Sequence, residues 1–377
     1  MTLEEREARI AELKQKQKEL ETEIDYLDIR QFTIKILINS VYGYFGNKKS
    51  PLGDDDIARS ITLTGQAVIK QANVLVREFE KKTANKSTDP IIYNDTDSVY
   101  IKIKQIAEAR GIKMHLGDGK ITPEYYALVQ EIEDYLNDGI KKWGKEELNS
   151  DDCRFVFKRE VIADCGLFLQ KKRYVIRVLD KEGIPTNKFK YTGVEVVRTT
   201  MPTPIKPYVK RIIENMLLTQ SLNKTNEIFN ETYEVFKGLP LEDIAFVMGV
   251  NGYEKYASKC VDYTPAKHMP IHVKAAYYHN KLLEKYKLEG KYEVIGTGDK
   301  VRYFYVKQPN KLGINVLGYK YYFPKEFGQD FHIDYEKMFE KIIFSVIERF
   351  YSAVKWPIKA PSMIAQTDLF DLLGMDS

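Results

Sequence analysis

Apolar residues recur at helical spacing from the start of the chain. Leu3, Ile10, Leu13, Leu20, Ile24 and Leu27 lie on an a/d seam that Gln17 interrupts, which predicts a helix over residues 1–27. Ile29, Phe32, Ile36 and Leu37 continue the period to about residue 45, where Gly43 and Gly46 are stop signals. The two predict an antiparallel helical hairpin; a homodimeric coiled coil is the alternative for the first, weakened by a seam under four heptads. Residues 48–53 read as a turn. Helix resumes to about residue 82, with Ile61, Val68, Ala72, Leu75, Val76 and Phe79 on or near one face. The pattern then shortens: 91–93 and 98–103 predict two strands around a tight polar turn. Residues 125–143 read as helix, and 155–162, 172–179 and roughly 189–197 as strands. Beyond Val197 the chain is mostly helical. Thr203-Pro204 starts a helix, and Gly238 and Pro240 stop the pair that follows. Residues 291–306 predict a small hairpin with 296–299 at its tip. Met338, Ile342, Ile343, Val346, Ile347 and Phe350 form an apolar stripe over 334–354. Helices with antiparallel strands in separate runs predict an α+β fold.

Composition sets bounds on this picture. A chain of 377 residues suggests two or three domains, and 44% hydrophobic residues against 30% charged argue against wholesale disorder. Cys153, Cys165 and Cys260 are scattered and form no Cys-x-x-Cys pair, which argues against a disulfide framework or structural zinc and fits a reducing compartment. No 18-residue apolar run predicts a membrane span, and the charged start MTLEEREARI is unlike a secretion signal. The net charge is only +4. Residues 154–211, however, hold fourteen Lys and Arg against five Asp and Glu, an electrostatic footprint suited to phosphate.

The sharpest chemical signal is Ile91-Ile92-Tyr93-Asn94-Asp95-Thr96-Asp97-Ser98-Val99-Tyr100-Ile101. Two apolar strands flank carboxylates two residues apart, an oxygen donor pair suited to a hard cation such as Mg²⁺. Two such ions about 3.5–4 Å apart clamp the attacking and leaving oxygens of phosphoryl transfer. Asp-x-Asp alone also suits an ordinary turn, because Asp bonds its own backbone there. The second signal is Lys35-Ile36-Leu37-Ile38-Asn39-Ser40-Val41-Tyr42-Gly43. On a helix, Lys35, Asn39 and Tyr42 fall at i, i+4 and i+7 and share one face. A cation, an amide and a phenol on one stripe suit a phosphate, a sugar and a base; a solvated stripe is the alternative.

Together and in this order, these segments resemble the family B replicative DNA polymerases, of the large tailed-phage type. Lys-x3-Asn-Ser-x-Tyr-Gly resembles their fingers-helix motif, and Tyr-x-Asp-Thr-Asp-Ser their palm hairpin. Lys171-Lys172-Arg173-Tyr174 and the preceding Lys158-Arg159-Glu160-Val161-Ile162-Ala163 resemble two further palm elements. The resemblance implies a fingers segment over 1–47 (the helical hairpin), a palm with an antiparallel sheet over 48–203, a mainly helical thumb over 204–365, and a tail over 366–377. It implies catalysis and metal binding by Asp97 and Asp95, with two Mg²⁺ ions and Thr96 in support. Lys35, Asn39 and Tyr42 would bind the dNTP. Lys171, Lys172, Arg173 and Tyr174 would bind DNA, with Lys172 at minor-groove acceptors that are nearly alike in every base pair. Glu160 would support the site. The tail Leu369, Phe370, Leu372 and Leu373 resembles a sliding-clamp-binding peptide.

The family's exonuclease and first palm motif are not found in this sequence. The expectation is therefore the C-terminal subunit of a split DNA polymerase, acting in the cytoplasm, that of the infected host cell if the chain is phage-encoded. Its expected partners are an N-terminal polymerase chain, primer–template DNA, dNTP and a sliding clamp, with no membrane. Asn94 stands where the family often has Gly, and Asn tolerates the left-handed backbone. No motif fixes the register of Arg6, Arg9 and Lys14, the basic residues of the first helix. A non-catalytic DNA- and clamp-binding fragment is the alternative function. Other palm-type nucleotidyl enzymes lack the 35–43 and 171–174 motifs.

Overall fold

The computed structural model of the chain describes residues 2–84, 89–116 and 119–358. They sort into two compact units, Met1–Lys158 and Arg159–Ser377, a division that falls within the segment assigned to the palm. The architecture is α+β, as the pattern of elements predicts, with helices predominating over three small antiparallel sheets.

The first unit opens with α1 (Leu3–Phe45), one uninterrupted helix of 43 residues. The predicted hairpin within 1–47 is therefore not formed. No Gly or Pro lies between Leu3 and Tyr42, so nothing at Asp28 breaks the intrahelical bonding. Thr2 caps its start in a reciprocal capping box with Glu5. Gly46 ends it, its N–H donating to the Tyr42 and Tyr44 carbonyls. No residue of α1 is buried.

A turn then leads to α2 (Asp55–Ala84), whose Val68, Ala72, Leu75, Val76 and Phe79 are buried, as the sequence stripe predicts. β1 (Ile91–Asp95) and β2 (Ser98–Ile101) form an antiparallel hairpin packed on α2. The short α3 (Lys104–Ala109) follows. α4 (Pro123–Leu148), capped by Thr122, buries Leu128, Ile132, Leu136 and Ile140. It packs against α2, and a Cβ at Gly139 would stand 2.6 Å from the Leu75 methyls, so the missing side chain sets how closely the helices approach.

In the second unit β3 (Val161–Gln170), β4 (Arg173–Lys181) and β5 (Ile184–Thr192) make a three-stranded antiparallel sheet. Two strand predictions shift. Residues 155–160 alternate like a strand but join no ladder. The Asn137 side chain instead satisfies the Phe157 backbone, donating to its carbonyl at 2.8 Å and accepting from its N–H at 2.7 Å. The predicted strand over 189–197 ends at Thr192, because Gly193 takes a φ of 61° and Glu195–Val197 form a 3₁₀ turn.

Beyond them lie α5 (Lys206–Thr219), α6 (Leu222–Phe236), α7 (Leu241–Ile244), β6 (Phe246–Gly249), α8 (Tyr253–Ala257) and α9 (Ile271–Tyr286). β7 (Lys300–Tyr305) and β8 (Val316–Tyr319) complete a second sheet, ordered β6-β7-β8. The predicted hairpin over 291–306 is absent. Residues 296–299 form a turn tied to Val250, and β7 pairs with strands distant in sequence, which local alternation does not reveal. The closing stretch is α10 (Tyr335–Phe339), one π-helical turn and α11 (Ser345–Ala353). Its stripe of Met338, Ile342, Ile343, Val346, Ile347 and Phe350 is buried in the unit's single core cluster. No helix among the described residues is long and apolar enough to cross a membrane.

Candidate functional site

The Asp-x-Asp segment is a two-residue hairpin loop. Asp95 pairs with Ser98, leaving Thr96 and Asp97 at the tip. Thr96 carries a φ of 52°, a conformation that β-branched residues rarely adopt. The left-handed position is thus Thr96 and not Asn94, which stays within β1. The Asp97 N–H reaches back to the Asp95 carbonyl at 2.6 Å, and the Thr96 hydroxyl donates to Asp95 Oδ1 at 3.1 Å. The Ser98 hydroxyl donates to the Asp95 carbonyl at 3.1 Å. These short-range bonds hold a strained tip. Asp95 is half-buried and Asp97 exposed, two positions apart at the end of the hairpin. Hard oxygen donors of this kind fit Mg²⁺, which fills the rest of its six-oxygen shell with water and phosphate. Among the described residues no group of three or more His, Cys, Asp or Glu side chains converges as a metal site.

Lys35, Asn39 and Tyr42 lie on α1, so the helix does place them along one stripe. All three are exposed. The apolar faces beside them are exposed too: Phe32 by 64%, Leu37 by 60% and Ile38 by 65%.

In the second unit, the residues of Lys171-Lys172-Arg173-Tyr174 divide by role. Gln170 pairs with Arg173, so Lys171 and Lys172 form the two-residue loop of the β3–β4 hairpin, both exposed. Lys172 takes a φ of 61°, where glycine is the ordinary choice. Its carbonyl lies against Gly193, where a Cβ would stand 2.0 Å from that oxygen. Arg173 Nη1 is 2.9 Å from Glu195 Oε1. Tyr174 is buried and stacked on Phe168 with ring centres 5.1 Å apart, so it anchors the strand from within. The hairpin end also borders an open groove of about 930 Å³, lined by Gln170, Arg173, Arg198, Lys341 and Arg349 among others.

The acidic residues of the basic segment are largely engaged. Arg159 bonds the fully buried Asp180, Arg177 pairs with Asp164 at 3.3 Å, and Lys190 meets Glu160 at 3.2 Å. Asp180, Asp164 and Glu160 are thus matched within the segment, which keeps its excess of Lys and Arg. Glu160 is more than half exposed and held by Lys190. The tail residues Leu369, Phe370, Leu372 and Leu373 lie outside the described residues. Sequence reasoning missed Gly193, Glu195 and Arg349. Glu195 stands out weakly as an isolated acid in a basic stretch, but nothing local connects it to Arg349, 154 positions on.

A family model described as DNA polymerase family B matches residues 1–124 and 147–354. The chain is similar to a DNA polymerase of Trichoplusia ni ascovirus 2c, 28% identical over 75% of this chain and 27% of the relative. It is similar to a DNA-directed DNA polymerase of Enterobacteria phage T4, 24% identical over 82% of this chain and 35% of the relative. A third, from Escherichia phage RB69, is 25% identical over 90% of this chain and 38% of the relative. The chain therefore spans well under half the length of these curated relatives.

Proposed function

Because the chain belongs to DNA polymerase family B, we propose that it is the C-terminal subunit of a split DNA-directed DNA polymerase, extending a primer 3′-hydroxyl with dNTP. The observation that carries this reading is the strained hairpin turn that puts Asp95 at the end of β1 and Asp97 in the two-residue loop beside it. The domain scheme goes with it: fingers over 1–47, palm over 48–203, thumb over 204–365 and a clamp-binding tail over 366–377.

Each residue has a physical task. Asp97, aided by Asp95, would hold divalent ions, with a further carboxylate supplied from outside this chain. When bound, two Mg²⁺ ions supply charge neutralisation at the transferring phosphate. Thr96 keeps the Asp95 carboxylate oriented through its hydroxyl. Lys35 neutralises the triphosphate, Asn39 lies beside it, and Tyr42 packs at the nascent base pair. Lys171 and Lys172 meet the duplex, while Arg173 and Tyr174 secure the strand that carries them. Glu160 holds Lys190 at the margin of the same sheet. Such backbone and minor-groove contacts are salt-sensitive and indifferent to sequence.

Contact with further polymerase structure beyond the described residues is supported by α1, a long helix with no buried residue. The tail, with Leu369, Phe370, Leu372 and Leu373, has the composition of a peptide that plugs a sliding clamp.

The test is primer extension with purified chains. The chain alone should show little extension, and a partner carrying an exonuclease and the first palm aspartate should restore it. Asp97→Ala should abolish the restored activity without blocking assembly. Robust extension by this chain alone, or by the Asp97→Ala complex, refutes the assignment. Removal of residues 366–377 should spare distributive synthesis and reduce clamp-stimulated synthesis.

A further inference from the structure

We propose that Glu195 is a positioning residue for DNA binding: it locks Arg173 to helix α11 through Arg349 and so fixes the Lys171–Lys172 loop. The inference rests on the reading that this loop meets primer–template DNA.

The geometry has three parts. First, a single carboxylate oxygen, Glu195 Oε1, takes both guanidinium groups, Arg173 from the start of β4 and Arg349 from α11. The Glu195 side chain is 17% exposed and Arg173 22%, so the bridge is screened from bulk water on its β4 side. The second oxygen, Oε2, is buried with no hydrogen-bond partner. A carboxylate held with one oxygen doubly engaged and the other desolvated is shaped by the two arginines it joins. Second, two residues before Glu195, Gly193 lets the Lys172 carbonyl approach to a distance that any side chain would forbid. The 193–195 segment therefore touches the loop at the Lys172 carbonyl and at Arg173, the residue that follows it. Third, Lys172 sits in a left-handed conformation, which persists only where its surroundings over-determine it. The Glu195 bridge and the Gly193 contact are such surroundings.

Removing the charge has a consequence that separates positioning from general electrostatics. Glu195→Gln makes the protein more positive, and a polyanion would on that ground bind tighter. Loss of the bridge instead leaves two facing guanidinium groups, which repel and release the loop.

The experiment uses the full chain and a fluorescein-labelled primer–template duplex, with affinity read by anisotropy at fixed salt. Glu195→Gln should weaken binding about fivefold or more, within the range seen for coupled neighbours. In a Lys172→Ala background the same substitution should add little, because its effect passes through Lys172. Unchanged or tighter binding by Glu195→Gln overturns the inference. An equal loss with and without Lys172 also overturns it, since a merely structural role gives additive losses. Should Glu195→Gln fail to fold, Arg349→Met breaks the bridge at its exposed end; because it also removes a cation, its test is the Lys172→Ala background, where its loss should largely vanish and an undiminished loss overturns the inference. If the unmodified chain does not bind the duplex at all, the DNA-contact reading falls and this inference with it.

Discussion

Replacing Lys172 by glycine should raise the stability of the second unit and lower DNA affinity in the same variant. Lys172 holds a φ of 61° in the two-residue loop between β3 and β4. A side-chain-bearing residue in that region costs roughly 1–2 kcal/mol, which glycine avoids. Glycine in turn loses about 0.5–1 kcal/mol more conformational freedom on folding. The balance is a gain of about 0.75 kcal/mol at mid-range, or ~1.5–3 °C in melting temperature for a unit of this size. The lysine itself would be absent from the DNA interface. A charge-assisted hydrogen bond contributes about 1.5–3 kcal/mol, so affinity should fall roughly tenfold to a hundredfold. Lys172→Ala is the control, losing the same affinity while keeping the left-handed strain and therefore the original stability. Calorimetry and anisotropy titration on all three chains give both quantities. A Lys172→Gly chain that is no more stable and binds DNA as before refutes both the strain and the contact.

Gly193→Ala should be strongly destabilising, by about 2 kcal/mol or more. The left-handed φ alone costs ~1–2 kcal/mol, and the Lys172 carbonyl must also retreat from a 2.0 Å overlap; a melting temperature equal to the parent's would contradict it. Asn137→Ala removes both hydrogen bonds to the Phe157 backbone and should cost about 1–3 kcal/mol, checked by urea unfolding. His279 is buried, with Nε2 3.1 Å from the Glu293 carbonyl, and burial holds its pKa below the usual imidazole range. Below about pH 6.5 the unfolded chain takes up a proton that the folded ring refuses, so this contribution to stability is complete above that pH and lost as pH falls. Melting temperatures from pH 7.5 to 5.5 should show a decline that His279→Gln makes shallower; parallel profiles would sink the assignment.

The chain's own order determined its local elements and its candidate chemistry. Helical periodicity placed α2 and the closing stripe from Met338 to Phe350, because a face that must be buried repeats every three or four residues. The motif at 93–98 placed two carboxylates at a hairpin tip, because a polar pair between short apolar strands leaves the chain little choice but to turn. Tertiary structure decided what depends on distant partners. Whether residues 155–160 became a strand was settled by Asn137 on α4, and β7 found its neighbours 51 to 57 positions upstream and 11 to 17 downstream. The separate roles within residues 171–174 were likewise tertiary: Glu195 and Phe168 claimed Arg173 and Tyr174, and Gly193 made room for the carbonyl of Lys172. Periodicity records which face of an element avoids water; it carries no record of which side chain, remote in the chain, will meet that face.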